Sequence, residues 1–542
     1  MERANWPCRQ AALYFATLFV AAITYGQSTS ASSTNNSSVD QAIPPAVAKE
    51  LDALKKRIEA LETELKNSRI QAQLNEASQQ VPANTTEQTN AAPVVTTRAG
   101  SSPRGVEPNS PDQTAAAAQS TPAEPFSFAD FSWLTGNSRE TESPLETKVF
   151  TGELRVDTDY VYDFNHPADH SIGGSSEVFR AGEVQLTQFG IGGDFHWNNV
   201  RGRLMTQFGM YSETTPRNDA SPARGQWDLD TAYRYISEAY GGYHFNKWNG
   251  INVDAGIFMS YVGLFSYYQF DNWAYQPSYV SSNTPWFFNG VRVQIFPTEK
   301  LKIEPWFVNG WQSYGTFNKS PGLGLQILYR PAGWLSILGN QYEGADTLGI
   351  SGRRRVHTDD SVQIKYYDNP ARLLDKAAMT ITVDAGCEFG SNSGVHCSGG
   401  NRAKPSQYFL GFMTYQRFWF HKDLFGFTIG GGAINNPGRY LVLLPPINGA
   451  TAITGTPYFT ENPGDPYKAW DTSATFDYMP KQFITWRFEY NHRASNVPYF
   501  TGPGGITPPG GNNGSPGLLV PGWNPDLRKR ENRLIIAILV KL

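Results

Sequence analysis

The stretch RENRLIIAILVKL, residues 530–542, decides the fold. Leu534, Ile536, Ile538, Val540 and Leu542 fall on alternate positions, and side chains along a β-strand alternate between faces with period two. A strand that closes a chain needs a partner already in place. The expectation is the closing strand of a transmembrane β-barrel.

Working back from it, the sequence from Lys148 onward predicts about sixteen strands of roughly ten to seventeen residues each; fourteen or eighteen fit the same spacing. The first, near 149–165, sets Glu153, Arg155, Asp157 and Asp159 against Leu154, Val156, Tyr160 and Tyr162. Near 353–368, Arg355, His357, Asp359, Gln363 and Lys365 oppose Val356, Val362, Ile364 and Tyr366; near 482–493, Thr485, Arg487, Glu489 and Asn491 oppose Ile484, Trp486, Phe488 and Tyr490. A soluble sandwich alternates too, so the connections decide. Links at 166–178, 214–227, 265–285, 387–405, 435–465 and 496–529 are long; those between them, such as Trp197-Asn198-Asn199 and Pro480-Lys481, are short. Long external loops and short periplasmic turns are the asymmetry of outer-membrane barrels, and residues 148–542 supply about 25 residues per strand with its connection. The fold class expected is all-β, a transmembrane antiparallel barrel wide enough for a water-filled lumen.

Composition agrees. With net charge -4 and 13% aromatic residues the chain is no nucleic-acid binder by charge. Residues 1–26 read as a secretory signal, because Arg3 and Arg9 precede the apolar run Ala11–Ile23, which is shorter than the ~20 residues a transmembrane helix needs. Of three cysteines Cys8 leaves with the signal, and Cys387 and Cys397, in a Gly/Ser-rich segment, are expected to form a loop disulfide outside the cytoplasm. No metal site and no cofactor is expected; His396 alone accompanies the pair.

A linker, 27–44, leads to a periplasmic coiled coil over 45–74. Val47, Leu51, Leu54, Ile58, Leu61 and Leu65 form its a/d seam, and Glu50 with Lys55, Arg57 with Glu62 and Glu64 with Arg69 are matched pairs of opposite sign. Self-association as a homotrimer is expected, although mixed Leu and Ile fit a dimer too; a lone amphipathic helix on the barrel is the alternative. Residues 75–125, poor in large apolar side chains, read as a disordered linker. Phe126, Phe128, Phe131, Trp133 and Leu134 open a pre-barrel segment, 126–147, suited to docking on or inside the barrel or to a simple tether; the barrel follows over 148–542.

Passive transport needs a polar lumen and a constriction rather than a catalytic group. The candidate wall carries both signs: Glu153, Asp157, Asp159, Asp230, Glu238, Asp477 and Glu489 against Arg155, Arg201, Arg203, Arg234, Arg292, Lys365 and Arg487. Such a mixture implies a transverse field favouring small dipolar solutes, or simple solvation of the lumen. The third long link carries Tyr267, Tyr268, Phe270, Trp273, Tyr275 and Tyr279, candidates for a constriction loop; packing between subunits or in the lipid headgroup layer suits them equally. The eight histidines are scattered and no H-E-x-x-H occurs, so no catalytic residue is named.

Phe128-Ala129-Asp130-Phe131-Ser132-Trp133-Leu134, a Tyr-rich first strand ending Asp163-Phe164-Asn165, Gly256-Ile257-Phe258 and Trp306-Phe307-Val308-Asn309-Gly310-Trp311 resemble the β-barrel porins of the OmpL-like kind from Gram-negative bacteria. The resemblance covers roughly 126–542. It implies an outer-membrane pore and transfers no substrate-binding residue. Leu542 departs from the terminal aromatic usual in such barrels. The expected function is passive diffusion of small hydrophilic solutes through a barrel set in outer-membrane lipid. The alternative is an anchor that links the membrane to the cell wall through the coiled coil, and a barrel-wall hydrolase is the third reading.

Overall fold

The computed structural model describes residue 56 and residues 124–542 except 140–141, 174–176, 222–223, 391–394, 402–405, 439, 441–465 and 507–525. The chain divides into two compact units, 1–92 and 93–542. Apart from Lys56, which is helical, and Glu124 and Pro125, the expected signal, coiled coil and linkers lie outside the described residues.

The second unit holds β1 (Phe150–Asp163), β2 (Val184–Trp197), β3 (Val200–Thr206), β4 (Ile236–Phe245), β5 (Ile251–Met259), β6 (Phe287–Thr298), β7 (Leu301–Val308), β8 (Gly322–Ala332) and β9 (Leu335–Gly344). It continues through β10 (Arg354–Asp368), β11 (Leu374–Phe389), β12 (Tyr408–Phe420), β13 (Phe425–Asn436), β14 (Tyr467–Lys481), β15 (Ile484–Ser495), β16 (Phe500–Thr501), β17 (Leu527–Arg528) and β18 (Arg530–Lys541). β16 and β17 pair only with each other; the other sixteen close an antiparallel barrel among the described residues. Closure runs from Arg155 opposite Lys541 to Asp163 opposite Arg533.

Period two fixes which side chain faces in. On β1 Glu153, Arg155, Asp157 and Asp159 are buried inside, whereas Leu154, Val156, Tyr160 and Tyr162 look outward. The outer face is largely apolar, with a few polar positions such as Asp360 and Gln416, and Trp197, Phe245, Trp248 and Trp334 form an aromatic band near the short turns, as at a lipid headgroup level. The links alternate in length around the ring, with the first long link at 164–183 and the first short one at 198–199. In that two-residue turn Asn198 and Asn199 have φ 47° and 68°, and Asn is among the residues that tolerate such left-handed backbone. Cys387 and Cys397 are joined by a disulfide. No helix among the described residues is long and apolar enough to cross a membrane.

Candidate pore interior

The inward face of the wall carries many short ion pairs. Arg155 pairs with Glu153 and, at 3.0 Å, with Asp271; Arg203 reaches Glu153 at 2.9 Å, Asp194 at 2.9 Å and Glu238 at 2.7 Å. Arg201 and Arg292 share Asp254 at 3.3 and 3.1 Å, and Lys302 holds Glu304 at 2.8 Å. Across the ring Asp477 bridges Arg417 at 2.8 Å and Arg487 at 2.7 Å. Lys365 sits nearer the short turns, 2.5 Å from Asp368.

Twelve of the fourteen wall candidates thus stand on inward strand positions: Glu153, Arg155, Asp157, Asp159, Arg201, Arg203, Glu238, Arg292, Lys365, Asp477, Arg487 and Glu489. Asp230 and Arg234 do not. Asp230 lies in a short helix, Leu229–Tyr233, in the link between β3 and β4, and Arg234 follows it, 3.0 Å from Glu213. The Leu-Asp-Thr-Ala-Tyr stretch alternates like a strand but belongs to a link long enough to fold on itself.

The link between β5 and β6 enters the barrel and crosses to the opposite wall. Phe270 and Tyr275 pack on Val161, Ile535, Ala537 and Leu539, and Trp273 meets Trp419 edge to face. The inner face of β18 is therefore apolar where the loop lands, a feature its outward alternation does not reveal. Wall side chains then hold the loop backbone. Glu489 accepts from the amides of Tyr275 and Gln276 at 2.6 and 2.9 Å, and Asp471 from that of Tyr279 at 2.9 Å. Arg487 donates to the carbonyls of Gln269 and Asn272 at 3.1 and 2.6 Å, Arg417 to that of Trp273 at 3.3 Å, and Arg493 to that of Pro277 at 2.8 Å. Tyr275 Oη donates to Asp157 at 2.9 Å, and Tyr268 Oη to Glu238 at 2.9 Å beneath the Arg155 guanidinium. Arg493 lies over the Tyr279 ring. Tyr267 instead faces the β3–β4 link, through Thr215 at 2.9 Å. Burial first, and then nearby carboxylates, pushes the Tyr268 and Tyr275 phenols well above their ordinary range, so they stay neutral donors. Burial works to raise Asp271 as well, but Arg155 and Lys541 hold its carboxyl below the usual value.

A second element occupies the short-turn mouth. Residues 124–139 start at the β6–β7 turn, where the Phe126 amide donates to Glu299 O at 2.7 Å, and Trp133 Nε1 donates to Gly333 O at 2.9 Å. The segment ends on the opposite side of the ring, where Asn137 Nδ2 donates to Thr485 Oγ1 at 3.2 Å and Arg139 to Met479 O at 2.6 Å. Midway it is bonded to the loop, Gly136 N to Asp271 O at 2.9 Å, and a Cβ at Gly136 would stand 2.3 Å from Asn272 O. Only glycine permits that approach. Between this strap, the loop and the wall remains a cavity of about 1030 Å³, lined by Phe131, Tyr268, Asp271, Arg155, Arg292 and Arg330 among others. Among the described residues no group of three or more His, Cys, Asp or Glu is placed to hold a metal.

A family model described as "Putative beta-barrel porin-2, OmpL-like" matches residues 150–514. The chain belongs to this porin family. The match begins at β1, so the strap precedes it. Family membership makes the protein a porin of the Gram-negative outer membrane, with its apolar outer face in lipid. Among solved structures it is similar to the outer membrane protein OmpT of Vibrio cholerae, at 10% identity and TM-score 0.39 over 73% of this chain and 99% of that one. It is also similar to Pseudomonas putida OprB, at 10% identity and TM-score 0.41 over 73% and 94%, and to an anion-selective porin from Comamonas acidovorans, at 10% and 0.41 over 72% and 99%. No curated protein matches it in sequence.

Proposed function

We propose that this porin passes small hydrophilic solutes by passive diffusion, with Tyr268, Phe270, Trp273, Tyr275 and Tyr279 of the folded loop setting the constriction and the inward strand residues forming a polar wall. The observation that carries it is the loop tied across the lumen by wall carboxylates and arginines, beside a cavity of about 1030 Å³. That volume is the scale of a pocket enclosing a small molecule. Membership of a porin family supports a channel rather than an enzyme. A homotrimer, with residues 45–74 as a periplasmic stalk, completes the proposal; the a/d seam and the matched charge pairs of that stretch support self-association.

The strap favours one competing reading. A segment bonded to both sides of the mouth is what a plugged anchor barrel would have. Single-channel conductance of the detergent-folded mature protein in planar bilayers, with sugars and amino acids added to look for block, separates the two. Stable open steps are expected. Silence from a barrel that migrates as folded on unheated gels would leave the anchor reading. Deleting residues 27–125 is expected to weaken oligomers and leave monomer barrels folded; unchanged oligomers would remove the stalk from the proposal.

A further inference from the structure

Most arginines of the lumen form ion pairs with carboxylates, as shown above for Arg155, Arg203, Arg292, Arg417 and Arg487. Arg330, near the short-turn end of β8, does not. It faces inward and lines the cavity, and its Nε is buried without a hydrogen-bond acceptor. Its amide donates to Lys300 O at 2.9 Å, and Lys302 stands opposite Leu328, two residues before it, so Lys300, Lys302 and Arg330 share one patch at the mouth. Lys302 is paired with Glu304. Neither Lys300 nor Arg330 forms an ion pair with a carboxylate among the described residues. Of these three cations only Lys302 has a carboxylate of the described residues within ion-pair distance.

The strap covers what the wall leaves unpaired. The Arg330 guanidinium lies 4.9 Å from the Phe126 ring centre and 4.8 Å from that of Phe131, and the Lys300 ammonium lies 4.8 Å from that of Phe128. A ring face attracts a cation but leaves the N–H groups of a guanidinium without acceptors, whereas a carboxylate or phosphate engages two of them at once. The aromatic cover is therefore a weaker partner than an oxyanion. Because Arg330 points into the barrel, the oxyanion must belong to a solute in the lumen and not to a lipid of the surrounding membrane.

We propose that Arg330, supported by Lys300 and Lys302, is a binding site for the oxyanion group of a solute at the short-turn mouth, and that Phe126 and Phe131 cover the guanidinium when no anion is bound. The proposal rests on the lumen being open to solutes, as argued under the proposed function. It gives the porin a preferred solute class, small carboxylates or phosphates, and makes the strap a competitor for the same group.

The test is calorimetric titration of the detergent-folded mature protein with inorganic phosphate and, separately, with succinate, run beside bilayer conductance. Saturable binding of at least one anion is expected, tenfold or more weaker in Arg330→Gln and tighter in Phe131→Ala. Binding of only one of the two supports the site and identifies its solute. Arg330→Lys keeps the charge without the fork and provides a second variant should Arg330→Gln fail to reach the folded, heat-modifiable form; it is expected to bind more weakly than wild type. No saturable binding of either anion, or equal affinity in wild type and the folded arginine variants, overturns the proposal. Anion binding by a protein silent in bilayers would uphold the site and sink the channel reading; conduction without anion binding would do the reverse.

Discussion

Replacing Asp477 by Asn removes one charge and, on this structure, loosens two elements. Asp477 is fully buried between Arg417 and Arg487. Arg487 holds the loop through Gln269 O and Asn272 O, whereas Arg417 holds the loop through Trp273 O and the strap through Gly136 O at 2.6 Å. Asn keeps the shape but leaves two buried guanidinium groups facing each other without a carboxylate. Removing one partner of a buried pair costs about 3–5 kcal/mol. The β-ladder does not depend on this site, so the cost falls on local opening of loop and strap. At about 1.4 kcal/mol per decade, it raises their opening equilibrium by roughly two to three and a half orders of magnitude. Amide hydrogen exchange in bilayer-mimetic detergent reads this directly. Protection in 266–282 and 131–139 is expected to fall about 100-fold or more, with the β10–β11 ladder unchanged as a control. Single-channel records should become larger or noisier. Unchanged exchange in both segments would refute the keystone role, and faster exchange in the loop alone would show that Arg417 does not hold the strap.

Three further outcomes follow from the same geometry. Ile536 faces outward at mid-strand of β18, so Ile536→Arg is expected to cost about 2–4 kcal/mol in bilayer refolding measured by urea titration; an unchanged midpoint would mean that this face does not meet lipid. Cys387→Ser with Cys397→Ser opens a ring of sequence separation 10 and should speed proteolysis within the β11–β12 link, for a loss of about 2–3 kcal/mol locally, without altering conductance. Asp271 is held below its ordinary value, so the stability it contributes is present above its unfolded pKa of about 3.9 and is lost only as pH falls through the lower folded value. Loop protection by hydrogen exchange, corrected for intrinsic rates, should therefore stay flat down to about pH 5, and an Asp271-dependent loss above that would contradict the Arg155 and Lys541 pairing.

What the sequence discloses is whatever period two controls. The alternation of β1 and β18, the short Asn198-Asn199 turn and the ring of long links are local patterns, and each is present as expected. What it conceals depends on where a link travels. Asp230 and Arg234 look like wall residues until the β3–β4 link is seen to fold on itself. Ile535, Ala537 and Leu539 look like one side of a fully apolar strand, and only the arrival of Phe270 and Tyr275 explains why a lumen face is greasy there. Glycine 136 carried no signal in the sequence, because its need for space arises from Asn272, far away in the chain.

The mixed charges of the wall invite the expectation of a transverse field, but their pairing changes its size. A lone unit charge 10 Å from an ion in water contributes about 0.4 kcal/mol, whereas a pair with its charges 3 Å apart along that line leaves only about 0.1 kcal/mol. Salt then screens the remainder over about 8 Å. Arg203, with three carboxylates within 2.9 Å, and Asp477, with two arginines within 2.8 Å, are each neutralised or reversed by their own neighbours. On the function proposed above, discrimination among solutes comes first from the space the loop leaves and only afterwards from charge that is not cancelled in place. Among the described residues, Arg330 and Lys300 are cations without a paired carboxylate at the mouth, whereas Asp157 and Asp159 are carboxylates met at the loop by the Tyr275 hydroxyl and by no cation within ion-pair distance. The two proposals place the reading of size and of sign at different depths, so substitutions at Tyr268 or Tyr275 should change the size cut-off while leaving anion preference intact, and Arg330→Gln should do the opposite. A single variant at either place that shifts both properties together would show that the two filters are one.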